Sequence, residues 1–326
     1  MCGMSTAPVL QSQMHPIGRS VRAYFAPVDR VNGTPAIFDP CTGFDPDAPT
    51  KPWIDLGCVE NFARTPQTAV NAVRTGESGA VAAQYRSAID ARVECEFLNW
   101  GKLQMALAGG SVHYNVLAGV GGSLQPCGGQ AAVASTLMAG STATQLVLEA
   151  AALAGFAAGE LVAVDVDYRG EAGYVGSGIA AAYVPANDGV MRDMDFTRRA
   201  TFNVGRVQSK TATSLVLAQA LPGGDPQVNA AVQKVAGFVD REGGSYFQEW
   251  SAVFVMPSDS GGQICFFYPR LQVLGGAAEG VKEIASPIVG RTLKAVFRAM
   301  PMVDGIDGEA CVCWRSYLPS ESAAAF

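Results

Sequence analysis

The chain has 326 residues, enough to bury a full core, and this length allows roughly two domains of ordinary size. Its formal net charge of −6 and its lack of basic runs argue against a protein that reads a nucleic-acid sequence. Charged residues make up only 16% of the chain and apolar residues 49%, which indicates that neighbouring subunits cover much of the surface.

The cysteine and histidine content argues against a metal or cofactor site. Eight cysteines are scattered along the chain without a CxxC pair, and the only histidines are His15 and His113. A zinc site would need further ligands beside the CxC pair of Cys311 and Cys313. We therefore expect no cofactor and reduced thiols in a protein made in the cytoplasm, and we predict neither a secretory signal nor a membrane span.

Residues 1–50 are rich in proline, glycine and aspartate, which predicts an extended N-terminal arm. The exception is a strand-like run at residues 21–28. Such an arm would suit a chain that reaches a neighbouring subunit.

The first regular unit, residues 51–125, shows the pattern of short strands followed by one helix. From residue 89 to residue 97 apolar and polar residues alternate, as in a half-buried strand, with Ile89, Val93 and Phe97 toward a core. The helix is predicted to be capped by Asn99 and to end at Gly109 and Gly110. The opposite face of the alternating strand carries four polar residues, Asp90, Arg92, Glu94 and Glu96.

The middle of the chain, residues 130–235, predicts an inserted small β-domain. A linker rich in glycine and serine precedes it, and β segments punctuated by glycine suggest a small barrel. A short helix is expected at residues 228–235. Strand patterning returns over residues 236–320, with a helical pattern at 277–285.

These patterns together predict a mainly β protein. A sandwich-like β-barrel with a flanking short helix would consist of residues 51–125 and 236–320, with the small β-barrel inserted between them. Residues 321–326 would form a C-terminal tail.

A DSGG sequence at residues 259–262 matches the surroundings of the nucleophile in trypsin-like proteases. A catalytic triad also needs a histidine and an aspartate, and neither His15 nor His113 has the neighbours of that family's histidine. Ser260 lies between two strong strand patterns. We therefore interpret the segment as a hairpin loop.

Two other patterns have simple structural explanations. The glycines at 173, 176 and 178 lack the order of a nucleotide-binding loop and predict a turn. Two pairs of aspartates lack the remaining ligands of a calcium loop and indicate solvated strand edges. These pairs are Asp165 with Asp167 and Asp193 with Asp195.

Two blocks of the sequence resemble the major tail tube proteins of long-tailed bacteriophages. The first block begins with PWIDLGCVENF at 52–62, and after a loop it continues with the charged strand at 81–97 and WGKLQMALAGG at 100–110. The second contains YPRL at 268–271 and LKAVFRAM at 293–300. The order and spacing of these stretches carry the resemblance.

The resemblance implies hexameric rings that stack into a tube, with an inner sheet around a DNA channel and loops and arms that lock successive rings. Such a subunit would be assembled in the host cytoplasm and lie in the virion tail. It would contact tail terminator, tip and tape-measure proteins, and it would have no catalytic residue and no membrane anchor. Alternatives are another tail component, a module that binds a host surface or carbohydrate, or a serine hydrolase at Ser260.

The polar face of the 89–97 strand is the candidate lining of that channel. Asp90, Arg92, Glu94 and Glu96 give three acids against one base per strand, which around a ring would repel DNA phosphates and let the duplex slide. The alternative is that these acids face solvent or pair with an arginine of a neighbouring subunit.

Overall fold

The fold is given by a computed structural model of the chain. It describes residues 21–28, 34–40, 44–47, 49–50, 52–76, 79–99, 101–119, 132–166, 175, 202–241, 249–258, 262–274 and 292–318. Within these ranges the chain forms sixteen strands and two short helices.

The strands are β1 (Val21–Pro27), β2 (Ile54–Thr75), β3 (Ala80–Phe97), β4 (Val112–Leu117), β5 (Ser135–Thr136), β6 (Gln145–Val147), β7 (Leu161–Asp165), β8 (Val204–Lys210), β9 (Ser214–Leu217), β10 (Ala231–Arg241), β11 (Glu249–Pro257), β12 (Gln263–Val273), β13 (Leu293–Ala299), β14 (Met302–Val303), β15 (Ala310–Cys311) and β16 (Trp314–Leu318). The helices are α1 (Lys102–Gly109) and α2 (Ala150–Leu153).

The first sheet closes on itself to form a barrel. Its strands follow the order β11, β1, β2, β3, β13, β12, and β12 pairs back onto β11. All of these pairings are antiparallel. β16 pairs with the first half of β12, beyond the point where β13 pairs with its end. The prediction of a mainly β, sandwich-like barrel is confirmed.

Alternating side chains fill the barrel interior. In β13, Leu293, Ala295 and Phe297 are buried while Lys294 is exposed, which is the period-two pattern of a half-buried strand. The ring of Phe297 lies 5.6 Å from that of Phe25 in β1, measured between centroids. Burial of each such ring stabilises the fold by about 1.5 to 3 kcal/mol.

Helix α1 packs against the barrel as the predicted flanking helix. Leu103 and Leu107 are buried in the barrel core. The helix ends at Gly110, whose left-handed backbone (φ 66°) lets its N–H bond the carbonyl of Ala106. The predicted stop is therefore confirmed, but the predicted cap at Asn99 is wrong, because the helix begins at Lys102.

Residues near the N-terminus belong to the barrel. The strand-like run at 21–28 is confirmed as β1, which lies between β11 and β2. The outer face of β1, β11 and β12 is covered by Phe38, Phe44 and Trp53. The rings of Phe38 and Trp53 contact that of Phe267. From residue 21 onward, the described part of the predicted arm thus packs on its own chain, while residues 1–20 lie outside the described ranges.

The second sheet has its own core. Its strands follow the order β4, β10, β7, β8, β9, β6, with β5 also paired to β10. A cluster that includes Leu137, Leu146 and Leu215 packs within it. Phe202 connects the two units, because its ring lies 6.0 Å from that of Trp250 in the barrel.

The predicted helix at 228–235 is wrong, because this segment leads into β10. Both edges of β10 are paired, on one side to β7 and on the other to β4 and β5. These hydrogen bonds outweigh the local helix preference of alanine and glutamine. The predicted helix at 277–285 lies outside the described residues.

Candidate assembly surface

The most unusual feature of the barrel is the length of the hairpin formed by β2 and β3. These strands contain 22 and 18 residues, whereas strands usually contain about 5 or 6. β2 pairs with β1 only up to Val59, and β3 pairs with β13 only from Ala91 onward. Residues 63–75 and 80–90 therefore leave the barrel as a two-stranded projection, which we name the ribbon.

The ribbon is long and largely exposed. Thirteen residues of extended β2 span about 40 Å at roughly 3.3 Å per residue. Nearly all side chains of the ribbon are exposed or half-buried. Where the resemblance led us to expect a loop after residue 62, the chain is instead paired strand up to Thr75.

The exposed side chains of the ribbon are apolar or small rather than charged. Tyr85 is 55% exposed and Val70 is 53% exposed. Only four ribbon residues carry a charge, namely Arg64, Arg74, Arg86 and Asp90. An exposed surface of this kind is typical of a protein interface.

The outer edges of the ribbon are also open. Among the described residues no other strand pairs with β2 beyond Val59 or with β3 before Ala91. Such edges present backbone N–H and C=O groups that can pair with another strand. Of the devices that natural proteins use to block an edge, the ribbon has one proline, Pro66, few charges, and two shifts in its pairing register, at Ala69/Val70 and at Val73/Arg74.

The base of the ribbon is fixed to the barrel by Arg64 and Phe62. The Arg64 guanidinium donates hydrogen bonds to the hydroxyl of Tyr268 and, over 3.4 Å, to Sγ of Cys313. It also lies 4.5 Å from the ring centroid of Phe266. The ring of Phe62 lies 4.7 Å from that of Phe254. The ribbon therefore projects from a well-packed base.

Burial raises the pKa of Tyr268, at the base of the ribbon, above its ordinary value. The neighbouring Cys313 acts in the same direction, and Arg64 partly opposes it. The phenol is therefore neutral at physiological pH and accepts the hydrogen bond from Arg64.

The four candidate channel residues share one face of β3, on the outside of the barrel. Ala91, Val93, Cys95 and Phe97, which alternate with them, are buried. The expectation that Ile89 faces a core is wrong, because this side chain is 38% exposed on the ribbon. Asp90, Arg92, Glu94 and Glu96 are exposed or half-buried.

The charge of this face is nearly balanced by the neighbouring strands. Lys294 of β13 pairs with Glu94 at 2.9 Å, Arg298 pairs with Asp90 at 3.1 Å, and Thr292 donates a hydrogen bond to Glu96 at 2.6 Å. The bond to Glu94 raises the pKa of Lys294. We name the seven charged residues of β2, β3 and β13 on this face the charge ladder: Glu60, Asp90, Arg92, Glu94, Glu96, Lys294 and Arg298.

The ladder contains four acids and three bases, so its formal charge is −1, compared with −2 for the four residues of β3 taken alone. The count of three acids against one base omitted the basic residues that β13 places beside them. Whether this face lines a channel stays a prediction.

The other candidate sites are less completely described. Asp259, Ser260 and Gly261 lie outside the described residues, but β11 and β12 form the antiparallel hairpin on either side of them, with Pro257 opposite Gln263. His113 lies in β4, which belongs to the second sheet. The remaining positions fall outside the described ranges, namely His15, Gly173, Gly176, Gly178, Asp167, Asp193 and Asp195.

Asp165 differs from its predicted role as a solvated strand edge. It ends β7, which lies between β8 and β10. Asp165 is buried, with 2% of its surface exposed, and its Oδ1 accepts a hydrogen bond from the N–H of Val166 at 2.8 Å. The sequence spacing could not reveal that β7 is a central strand.

No group of three or more potential metal ligands from histidine, cysteine, aspartate or glutamate occurs in the described ranges. Neither described helix has the length and apolar character needed to cross a bilayer. Comparisons with protein-family models and with curated proteins find no match to the chain.

Proposed function

We propose that this chain is a structural subunit that assembles with copies of itself, as the tail tube protein of a tailed bacteriophage. In this proposal six copies form a ring, rings stack into a tube, and the tube conducts DNA from capsid to host. The protein has no catalytic role and resides in the virion tail. The ribbon is the single observation that carries the proposal.

The ribbon needs a partner for energetic reasons. A two-stranded hairpin alone in water is marginally stable at best, because it has no third strand and no packed face. The ribbon adds exposed apolar side chains such as Val73 and Tyr85 to this instability. Covering these side chains with another subunit would remove apolar surface from water and pair the open edges.

A second copy of the chain is a suitable partner because each subunit carries two different open edges. The free edge of β3 in one copy can pair with the free edge of β2 in the next. This contact joins different surfaces of identical subunits, so it repeats and closes into a ring when the rotation allows. The low charge of the ribbon favours such close approach of identical chains.

Passage of DNA is supported by the low density of unpaired positive charge. The bases of the charge ladder are matched by acids within the same face, including the Lys294–Glu94 and Arg298–Asp90 pairs. A channel with this lining would not hold phosphates at many points, so a duplex could slide. Tail terminator, tip and tape-measure proteins would be the further partners of the tube ends and lumen.

Electron microscopy and sedimentation of the purified protein test the proposal. We expect the parent chain to form rings or tubes. Discrete small particles at all concentrations would contradict it and would favour a module that binds a host surface or a carbohydrate.

A ribbon variant tests whether the ribbon is the assembly surface. Val73 and Tyr85 lie on one face, because Tyr85 is opposite Asn71, two residues from Val73. Changing both to lysine should abolish tubes. The matched control changes Val303 and Ile306 to lysine, since both are exposed on the separate β14–β15 hairpin, and it should assemble normally. Tubes in both variants would mean that another surface assembles the protein.

A further inference from the structure

An amine and a carboxamide meet where the barrel joins the second sheet. Lys102 is the first residue of α1, which packs on the barrel, and Asn115 lies in β4. The Lys102 Nζ donates a hydrogen bond to Oδ1 of Asn115. Asn115 is fully buried, with 0% of its surface exposed.

The surroundings of the Lys102 amine are apolar. The ring of Phe202 lies 5.3 Å from Nζ, measured to its centroid, and Phe202 packs in turn on Trp250. Lys102 keeps some exposed surface, but its amine end contacts these buried partners. Burial lowers the pKa of Lys102 well below its ordinary value. A lowered pKa increases the fraction of the amine that is neutral, and the neutral form has the free electron pair of a nucleophile.

Both partners are held in place by the fold. Leu103 and Leu107 fix α1 in the barrel core, and β4 is paired to β10 with Asn115 opposite Phe238. Positioning two reactants in this way removes much of the entropic barrier to their reaction.

We propose that Lys102 and Asn115 are joined by an intramolecular isopeptide bond. The electron pair of the lysine Nζ attacks the Asn115 Cγ, and a new carbon–nitrogen bond forms. The bond from Cγ to Nδ2 then breaks, and a proton lost by the lysine nitrogen leaves with the departing nitrogen as ammonia. The step needs no oxidant, metal or added reactant, because it exchanges one amide for another.

The backbone already joins α1 to β4 through Gly110 and Ser111, so this bond would close a ring over residues 102–115. It would hold the start of the flanking helix against an outer strand of the second sheet, so that residues 103–114 could not be extended under force. The inference rests on the geometry around Lys102 and is independent of the proposed function.

Intact mass spectrometry of the denatured full chain tests the bond. We expect a mass lower than that of the sequence by one ammonia. In a tryptic digest, cleavage after Lys102 should be blocked, and tandem spectra should show a branched species that joins the peptides of Lys102 and Asn115. The full sequence mass would overturn the proposal, as would an ammonia loss located elsewhere without a branch.

Two variants and one control sharpen this test. Lys102→Arg and Asn115→Ala should each restore the full mass. The control is Lys234→Arg, because Lys234 also lies near an aromatic ring, that of Phe156, but its amine pairs with a carboxylate rather than a carboxamide. This control should retain the ammonia loss. A loss of ammonia that persists in Lys102→Arg would overturn the proposal. If a variant fails to fold, the mass of the parent protein still tests the bond.

Discussion

The two halves of the β2–β3 hairpin differ in the strands that pair with them. Within the barrel, β3 alternates buried and polar residues and has β2 on one side and β13 on the other. In the ribbon, the same two strands pair only with each other among the residues that the structure describes, and they expose side chains on both faces. The barrel half is stabilised within one chain, whereas in the proposed assembly a neighbouring subunit would stabilise the ribbon half.

The largest expected effect is a difference in hydrogen exchange between the two halves. Because barrel amides open only with global unfolding, their opening free energy should exceed that of ribbon amides by about 5 kcal/mol or more in unassembled protein. Exchange measured by mass spectrometry should show fast ribbon amides that become protected on assembly. Equal protection of both halves before assembly would remove the basis of the comparison.

A pair of aromatic substitutions provides the next test. Phe297 in the barrel is 0% exposed and Tyr85 in the ribbon is 55% exposed. Changing Phe297 to alanine should lower the free energy of unfolding by about 3 to 5 kcal/mol. Changing Tyr85 to alanine should alter it by less than about 0.5 kcal/mol but weaken assembly. Urea unfolding followed by tryptophan fluorescence, together with sedimentation, separates the two outcomes.

A stability loss of comparable size in both variants would show that the ribbon is also packed within its own chain. Unchanged assembly in Tyr85→Ala would show that this side chain is not covered by a partner.

Alkaline pH should affect the barrel half through Tyr268. Burial raises the pKa of Tyr268 in the folded state above the value of 10.0 expected in the unfolded chain. The unfolded state therefore releases the tyrosine proton at a lower pH than the folded state does. The free energy of unfolding should fall as the pH rises above 10.0 toward the raised folded pKa, by up to about 1.4 kcal/mol per pH unit. Unfolding measured at several alkaline pH values checks this slope.

Tyr268→Phe is the control for the alkaline effect, because it keeps the ring and removes the titrating hydroxyl. Its stability should depend less on alkaline pH than that of the parent. An identical slope in both proteins would mean that Tyr268 does not control the alkaline behaviour.

The sequence predicted the barrel half better than the ribbon half for a physical reason. Burial of one face imposes alternation, so Val93, Cys95 and Phe97 could be assigned to a core from their spacing alone. The ribbon has no buried face, and its alanine, threonine and valine residues have no period that distinguishes strand from loop. The apolar character of Ile89 continues the alternation past the point where the barrel ends, so the spacing predicts a core position for a side chain that is 38% exposed.

Contacts between distant segments could not be predicted from local patterns. The strand at β10 overrides a local helix pattern because it is paired on both edges. The balance of the charge ladder requires knowing that β13 lies beside β3. The Phe202 ring that lies near the Lys102 amine comes from a different part of the chain.

The smallest expected effect on stability concerns the charge ladder, and it tests whether the barrel half faces DNA. Changing Glu94 and Glu96 together to lysine would convert four acids and three bases into two acids and five bases. Both side chains are partly exposed, so water screens their interactions and the barrel should still fold and assemble. If this face lines the channel, the variant tubes should retain short duplex DNA and protect it from nuclease, more strongly at low salt, while parent tubes should not.

The control changes Asp304 and Asp307 to lysine, because this adds the same charge on the β14–β15 hairpin away from the ladder. Variant tubes that assemble but bind DNA only in a nuclease-accessible form, or no better than the control, would place this face outside the channel.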